Sequence, residues 1–341
     1  VPSWNELLEG LMAQGTDEAA SSWLIDRQEE ALQEVGRLRG DRHVLLYGSA
    51  FLQKPLAPPG HLQLTAEEIN GLMSVIFGMD WSKGLTLILH TPGGVINAAD
   101  SFVAYLRSKF EDIEVIVPTF AMSAGTMIAL AADRIVMGRQ SQLGPIDPQM
   151  PIGGRSVSAG AIVEQFELGK KEILADLNAA HVWAPILQSL GPALLVEARN
   201  ALDYGKQMVA TWLADYMFRG QPDAAVLGST IANHFSNTAT HKSHGRRIGL
   251  AEAAAQGVRV EALETSQELQ DAVLTAYHLM TIAVERGPAT KVMATDTGRS
   301  WLKNWATPEM QAAQPPPAGP VPSRGPSGNP AKRAQQAKRR R

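Results

Sequence analysis

The chain has 341 residues, 45% of them hydrophobic, which suits one large α/β domain with extensions or two modest domains. It contains no cysteine, so disulfides, thiolate metal sites and a cysteine nucleophile are excluded. The formal net charge of −3 is uneven: the last 31 residues carry seven basic and no acidic side chains, leaving 24 basic against 34 acidic in the rest.

Residues 1–40 read as helical. Trp4, Leu7, Leu8 and Leu11 share one face, and Ser3-Trp4-Asn5-Glu6 has the form of a capping box. A second helical run covers 20–38. His43–Tyr47 is a strand, and Thr65 is placed to cap a helix over 66–77. Leu85–His90 is an apolar run suited to a strand buried on both faces. It ends in the breaker cluster Thr91-Pro92-Gly93-Gly94, where the backbone turns tightly and exposes amides. Val95, Ala98, Phe102, Val103 and Leu106 then follow helical spacing. Ile113–Val117 is a second buried strand, Ala121–Thr126 switches strand to helix, and Arg134–Met137 is a third strand. Both turns therefore fall at the carboxyl ends of strands, where open α/β sheets place their sites.

Those two turns suggest acyl-transfer chemistry. Ser123 at a helix start has unpaired first-turn amides beside it, and a neighbouring Gly-Gly turn can supply another. Together they suit an attacking hydroxyl and a developing oxyanion. An N-cap serine and an ordinary glycine turn are the plain alternatives. His90, just before the turn, either approaches this site or is structural.

HTPGG, VIVPTFAMSAGTMIALAADRIVM and LGPIDPQ, in that order, resemble the serine dehydrogenase proteinase family of the ClpP/crotonase superfamily. The likeness is dense over 85–149 and weaker to about 260. It implies an α/β fold of the ClpP/crotonase type, a repeated ββα superhelix with N-terminal helices and a disordered C-terminal tail. It also implies a serine peptidase with the triad in the chain order Ser, Asp, His. Carried onto this sequence, the nucleophile is Ser123, the acid is Asp147 between Pro145 and Pro148, and the base is His244. His244 is preferred to His241 because Ile248, an aliphatic residue, stands four positions on. The amides of Gly93, Gly94 and Ala124 form the oxyanion hole. A Ser-Lys dyad is the rival mechanism, with Lys206, Lys170 and Lys171 downstream. The alternatives in function are a crotonase-like acyl-thioester enzyme and a catalytically silent assembly subunit. The superfamily also implies a homo-oligomer, with N-terminal helices at either a partner subunit or their own domain. It implies a peptide or protein substrate and leaves an ATPase partner open. No cofactor is expected, since no G-x-G-x-x-G opens a βαβ unit.

Downstream, 151–160 reads as a mobile lip, and 161–178, 184–204 and 206–218 read as helices. The segment TATHKSHGRRIGL places His241 and His244 three apart, but zinc is disfavoured for want of a third nearby ligand. A helix over 265–286 follows, and Trp301 and Trp305 are expected to dock back on the body. The expected division is an N-terminal helical segment 1–40, a peptidase domain 41–262, a helical extension 263–310 and a disordered Pro/Arg-rich tail 311–341. The basic tail suggests at most weak nucleic-acid binding. No stretch approaches the roughly 20 apolar residues of a membrane span. The first residues include Glu6, Glu9, Asp17 and Glu18 and no basic leader, so the sequence reads as cytoplasmic.

Overall fold

The computed structural model describes residues 3–306. A seven-stranded sheet runs through them in the order Ser300–Asn304, Ala289–Thr295, His43–Ser49, Leu85–His90, Ile113–Val117, Arg134–Met137, Val260–Ala262. The last five are mutually parallel, and the first two add an antiparallel edge. The molecule is thus mixed α/β with a predominantly parallel sheet.

Strand alternation decides which side each residue serves. Leu45, Tyr47, Leu87, Leu89, Val115 and Val117 enter one apolar layer. Val44, Leu46, Ile88 and Ile116 enter the other. The first layer is closed by helices that include Ile96–Arg107, Ala124–Leu130 and part of Leu194–Trp212. The second is closed by Trp4–Met12, Asp17–Leu38 and Gln267–Arg286. The N-terminal helices therefore pack on their own unit, with Leu7, Leu11, Leu32 and Val35 buried there. Ser3 and Glu6 make both arms of the capping box.

Several expectations need correction. Residues 151–160, expected as an irregular lip, have regular structure: Gln149–Ile152 and Arg155–Ser158 form a hairpin and lead into the helix Ala159–Ala175. Its two-residue turn, Gly153 and Gly154, has φ +56° and +77°, the mirror-image turn that matches strand twist. The extension after 263 is helical only to Arg286, and its remainder supplies the two antiparallel strands. Trp301 does dock, its ring lying against Gly71. The helix expected over 66–77 is shorter, Glu68–Val75. Val95 is an exposed N-cap instead of a core position. A helix at Ala224–Ser236 had no assignment from sequence. The tail 311–341 lies outside the described residues. Among the described residues no helix is long and apolar enough to cross a membrane.

Candidate active site

Beyond the carboxyl ends of the parallel strands, a second, shorter ladder joins five segments. Leu64 pairs with Gly94, and Thr91 pairs with Ala121. Phe120-Ala121 pairs in parallel with Gln142-Leu143, and Leu143 pairs antiparallel with Ile248. The hydrogen bonds are short: Met122 N to Thr91 O at 3.0 Å, Leu143 N to Ile248 O at 2.9 Å, Ile248 N to Leu143 O at 2.8 Å. Segments far apart in sequence are thereby laid side by side.

Ser123 emerges two residues past its rung. Its backbone has φ 53° and ψ −119°, a region that non-glycine residues enter at a cost of order 1–3 kcal/mol. Its hydroxyl makes no capping hydrogen bond to the helix Ala124–Leu130, so the plain N-cap reading does not describe it. The turn is held by Gly125 N to Met122 O at 2.8 Å and Met127 N to Ser123 O at 3.1 Å. Glycines allow the packing around it. A Cβ on Gly93 would lie 2.5 Å from Met122 O and 2.7 Å from Ser123 Cβ. One on Gly125 would lie 2.4 Å from Thr91 Cγ2, and one on Gly144 2.5 Å from Met122 Cε. Thr126 Oγ1 donates to Ala121 O (2.7 Å) and accepts from Gly144 N (2.9 Å), stitching the serine turn to the next segment.

Three backbone amides adjoin this turn, and they differ. Gly93 N–H donates to Thr91 Oγ1 at 3.2 Å and is engaged. The Gly94 amide has no acceptor among the described residues. The Ala124 amide is the first of its helix and has no intrahelical acceptor.

Asp147 and His244 meet four positions out from the isolated Leu143–Ile248 bridge, beyond the paired residues. Between them and the bridge the chain is irregular, with Ile146 N bonded to Phe235 O at 2.9 Å. His244 Nδ1 lies 2.8 Å from Asp147 Oδ1. Asp147 is 3% exposed, and its other oxygen accepts from Gln149 Nε2 at 2.8 Å. The imidazole is half-buried and Nε2 has no hydrogen bond among the described residues. Nor does Ser123 Oγ, so the two are not directly bonded here. A cavity of about 170 Å³ bordered by Asp147, Ser158, Glu164, Lys242 and His244 opens beside the pair.

The other candidates lie elsewhere. His241 is buried, its Nε2 donating to His234 O (2.7 Å) and its Nδ1 facing Arg246 Nη1 (2.9 Å). Burial holds it below the ordinary imidazole range. Lys206 is 3.8 Å from Asp203 on its own helix, and Lys170 and Lys171 are exposed. His90 is buried among Phe51, Phe120 and Tyr277. Sequence reasoning passed over Thr91, Thr126 and Gln149 as functional positions. All three lay inside the quoted motifs, which was the only signal available.

Residues 21–179 match the family model described as ClpP-like SDH-type serine proteinase. Uncharacterized protein MJ0137 of Methanocaldococcus jannaschii is 41% identical over 92 residues, 27% of this chain and 32% of that protein. Uncharacterized protein MJ1495 of the same organism is 30% identical over 147 residues, 43% of this chain and 49% of that protein. The chain thus matches about a third and about half of these relatives' lengths. A mutant of the 1510-N membrane-bound stomatin-specific protease superposes with a TM-score of 0.39 at 17% identity, covering 62% of this chain and 79% of that one.

Proposed function

We propose that this chain is a serine hydrolase that cleaves peptide bonds through an acyl-enzyme on Ser123. Ser123 Oγ attacks the carbonyl carbon while His244 Nε2 takes its proton. Asp147, bonded to Nδ1, fixes the tautomer that leaves Nε2 as acceptor and stabilises the imidazolium. The amides of Gly94 and Ala124 receive the developing charge, and Gly93 serves the turn's shape. His244 returns its proton to the leaving amine, and water, activated by the same imidazole, releases the acid. The missing Ser123–His244 bond fits a site that tightens around substrate, as such contacts often do. The observation that carries the reading is the Asp147–His244 bond, 2.8 Å across 97 positions of sequence, and the strained, uncapped Ser123 turn supports it. The match of 21–179 to a serine proteinase family model supports it, and so does the succession of paired turns expected of a ββα superhelix. The peptidase domain 41–262, a peptide or protein substrate and a homo-oligomeric state belong to the same proposal.

The test is labelling with a fluorophosphonate, which reacts with activated serines. Ser123→Ala should abolish it and His244→Asn should slow it at least 100-fold, with Lys206→Ala near wild type. Unchanged labelling in His244→Asn, with loss in Lys206→Ala, would replace the triad by a Ser-Lys dyad. No labelling of the intact chain would favour a crotonase-like enzyme or a silent subunit.

A further inference from the structure

Beside His244 lies a second group of side chains that the proposed reaction does not use. His234 comes from the helix Ala224–Ser236, His241 from the short helix Thr238–His241, and Glu252 from the helix Leu250–Ala255. One potential ligand atom from each lies within 4.8 Å of the others. The third ligand that the sequence did not offer is thus supplied by two flanking helices.

We propose that His234, His241 and Glu252 form a binding site for a divalent transition ion of the zinc class, at the position now taken by the Arg246 guanidinium. Arg246 Nη1 stands 2.9 Å from His241 Nδ1 and 2.7 Å from Glu252 Oε1. A cationic nitrogen therefore already sits between the lone pairs of His241 and Glu252. His241 is orientated as metal-bound imidazoles are: its Nε2 meets the His234 carbonyl at 2.7 Å, which assigns the proton to Nε2 and the lone pair to Nδ1. His234 Nε2 is buried with no hydrogen bond, facing Glu252 Oε1 at 3.4 Å, long for such a contact. Two imidazole nitrogens and a carboxylate suit zinc, with a fourth position left for water. The arginine is displaceable. Its side chain is 36% exposed, and an ion pair with a part-exposed glutamate is weak beside three metal–ligand bonds.

Arg246 lies midway between His244 and Ile248, so drawing it out of the cluster disturbs the segment that presents the imidazole. Metal occupancy therefore lowers serine reactivity. That consequence rests on the proposed role of His244, whereas binding itself does not.

The experiment is competition for Zn²⁺ against a chromophoric chelator, using full-length chain without a histidine tag. Wild type should bind one ion per chain at micromolar affinity or tighter. His241→Gln and Glu252→Gln should each weaken binding at least 10-fold. Arg246→Ala should tighten it about 10-fold, an effect that a merely structural arginine would not produce. Glu252 is part-exposed, so its variant remains informative if His241→Gln fails to fold. Wild-type affinity in Glu252→Gln, or unchanged or weaker binding in Arg246→Ala, would overturn the assignment. Stoichiometric binding with no fall in fluorophosphonate labelling would leave the site standing and remove its coupling to His244.

Discussion

His90 should make stability fall steeply with acid. It ends a central strand directly before the Thr91–Gly94 turn and is 1% exposed. Nδ1 meets Thr119 Oγ1 at 2.8 Å, and Nε2 has no hydrogen-bond partner. The ring packs on Phe51, Phe120 and Tyr277 at centroid distances of 5.1, 6.0 and 5.0 Å. Burial pushes its pKa down from 6.5 to about 3. Between those values the unfolded chain binds a proton that the folded chain refuses. Stability is therefore retained above pH 6.5 and lost as pH falls toward 3. At about 1.36 kcal/mol per pH unit, the loss is about 2 kcal/mol by pH 5 and approaches about 5 kcal/mol at pH 3. Urea unfolding of wild type and His90→Phe at pH 7 and pH 5 isolates this from other titrating groups. Wild type should lose about 2 kcal/mol more than the variant over that interval. Equal losses would refute the claim that the enclosed ring excludes the proton.

Gly93→Ala should cost about 1–3 kcal/mol and abolish serine labelling, because its Cβ would meet the Met122 carbonyl and Ser123 while φ is +93°; thermal unfolding and labelling report the two effects. Lys291 and Glu68 form a fully buried ion pair, so Glu68→Gln should lower stability by about 3–5 kcal/mol. The Glu68→Gln, Lys291→Met double variant should recover part of that in urea unfolding, and a strictly additive loss would show that the two do not interact. Gln149→Leu removes the second partner of Asp147 and should slow labelling about 10-fold, near 1.4 kcal/mol, with little change in melting temperature. One glycine inserted between Gly144 and Pro145 should abolish labelling, because it shifts Asp147 off the position opposite His244. The same insertion between Gly153 and Gly154 should leave labelling within about 3-fold. Equal sensitivity at the two places would mean that register does not govern the pair.

Much of the fold could be read locally. Leu85–His90, Ile113–Val117 and Arg134–Met137 were evident because a strand buried on both faces is a plain apolar run. Ala289–Thr295 escaped for the opposite reason: Lys291 stands at its centre. A lysine in a buried strand makes sense only with Glu68, 223 positions upstream, which also accepts from Thr65 N and Oγ1 at 2.9 and 2.8 Å. The Gln149–Ser158 hairpin was announced by Gly153-Gly154, but the flanking Gly and Ser residues suggested looseness. For the site, residue types and motif order pointed to Ser123, Asp147 and His244. The bond between Asp147 and His244 did not follow from spacing. The positive φ at Ser123 is a product of the packing of Gly93 and Gly125 around it, which no local pattern encodes, whereas the bond from the Gly93 amide to Thr91 Oγ1 is a local two-residue turn.

The second ladder explains how a strained serine turn can persist. The main sheet fixes where each segment leaves the core, but its strands end several residues short of the candidate site residues. The short ladder carries alignment outward: each rung satisfies buried amides on both sides, so releasing one strands polar groups in a dry environment. Glu68 extends the restraint at one end, gripping Thr65 beside the Leu64 rung that pairs with Gly94. At the other end, Ile248 is buried at 0% exposure, which anchors the segment that carries His244. Between these fixed ends the Ser123 turn has no room to relax to an ordinary helix cap without moving Gly93 or Gly144. The strain is local, while the contacts that oppose its release are spread over five segments. For that reason the buried Lys291–Glu68 pair, distant in sequence from every proposed catalytic residue, should influence serine reactivity as well as stability.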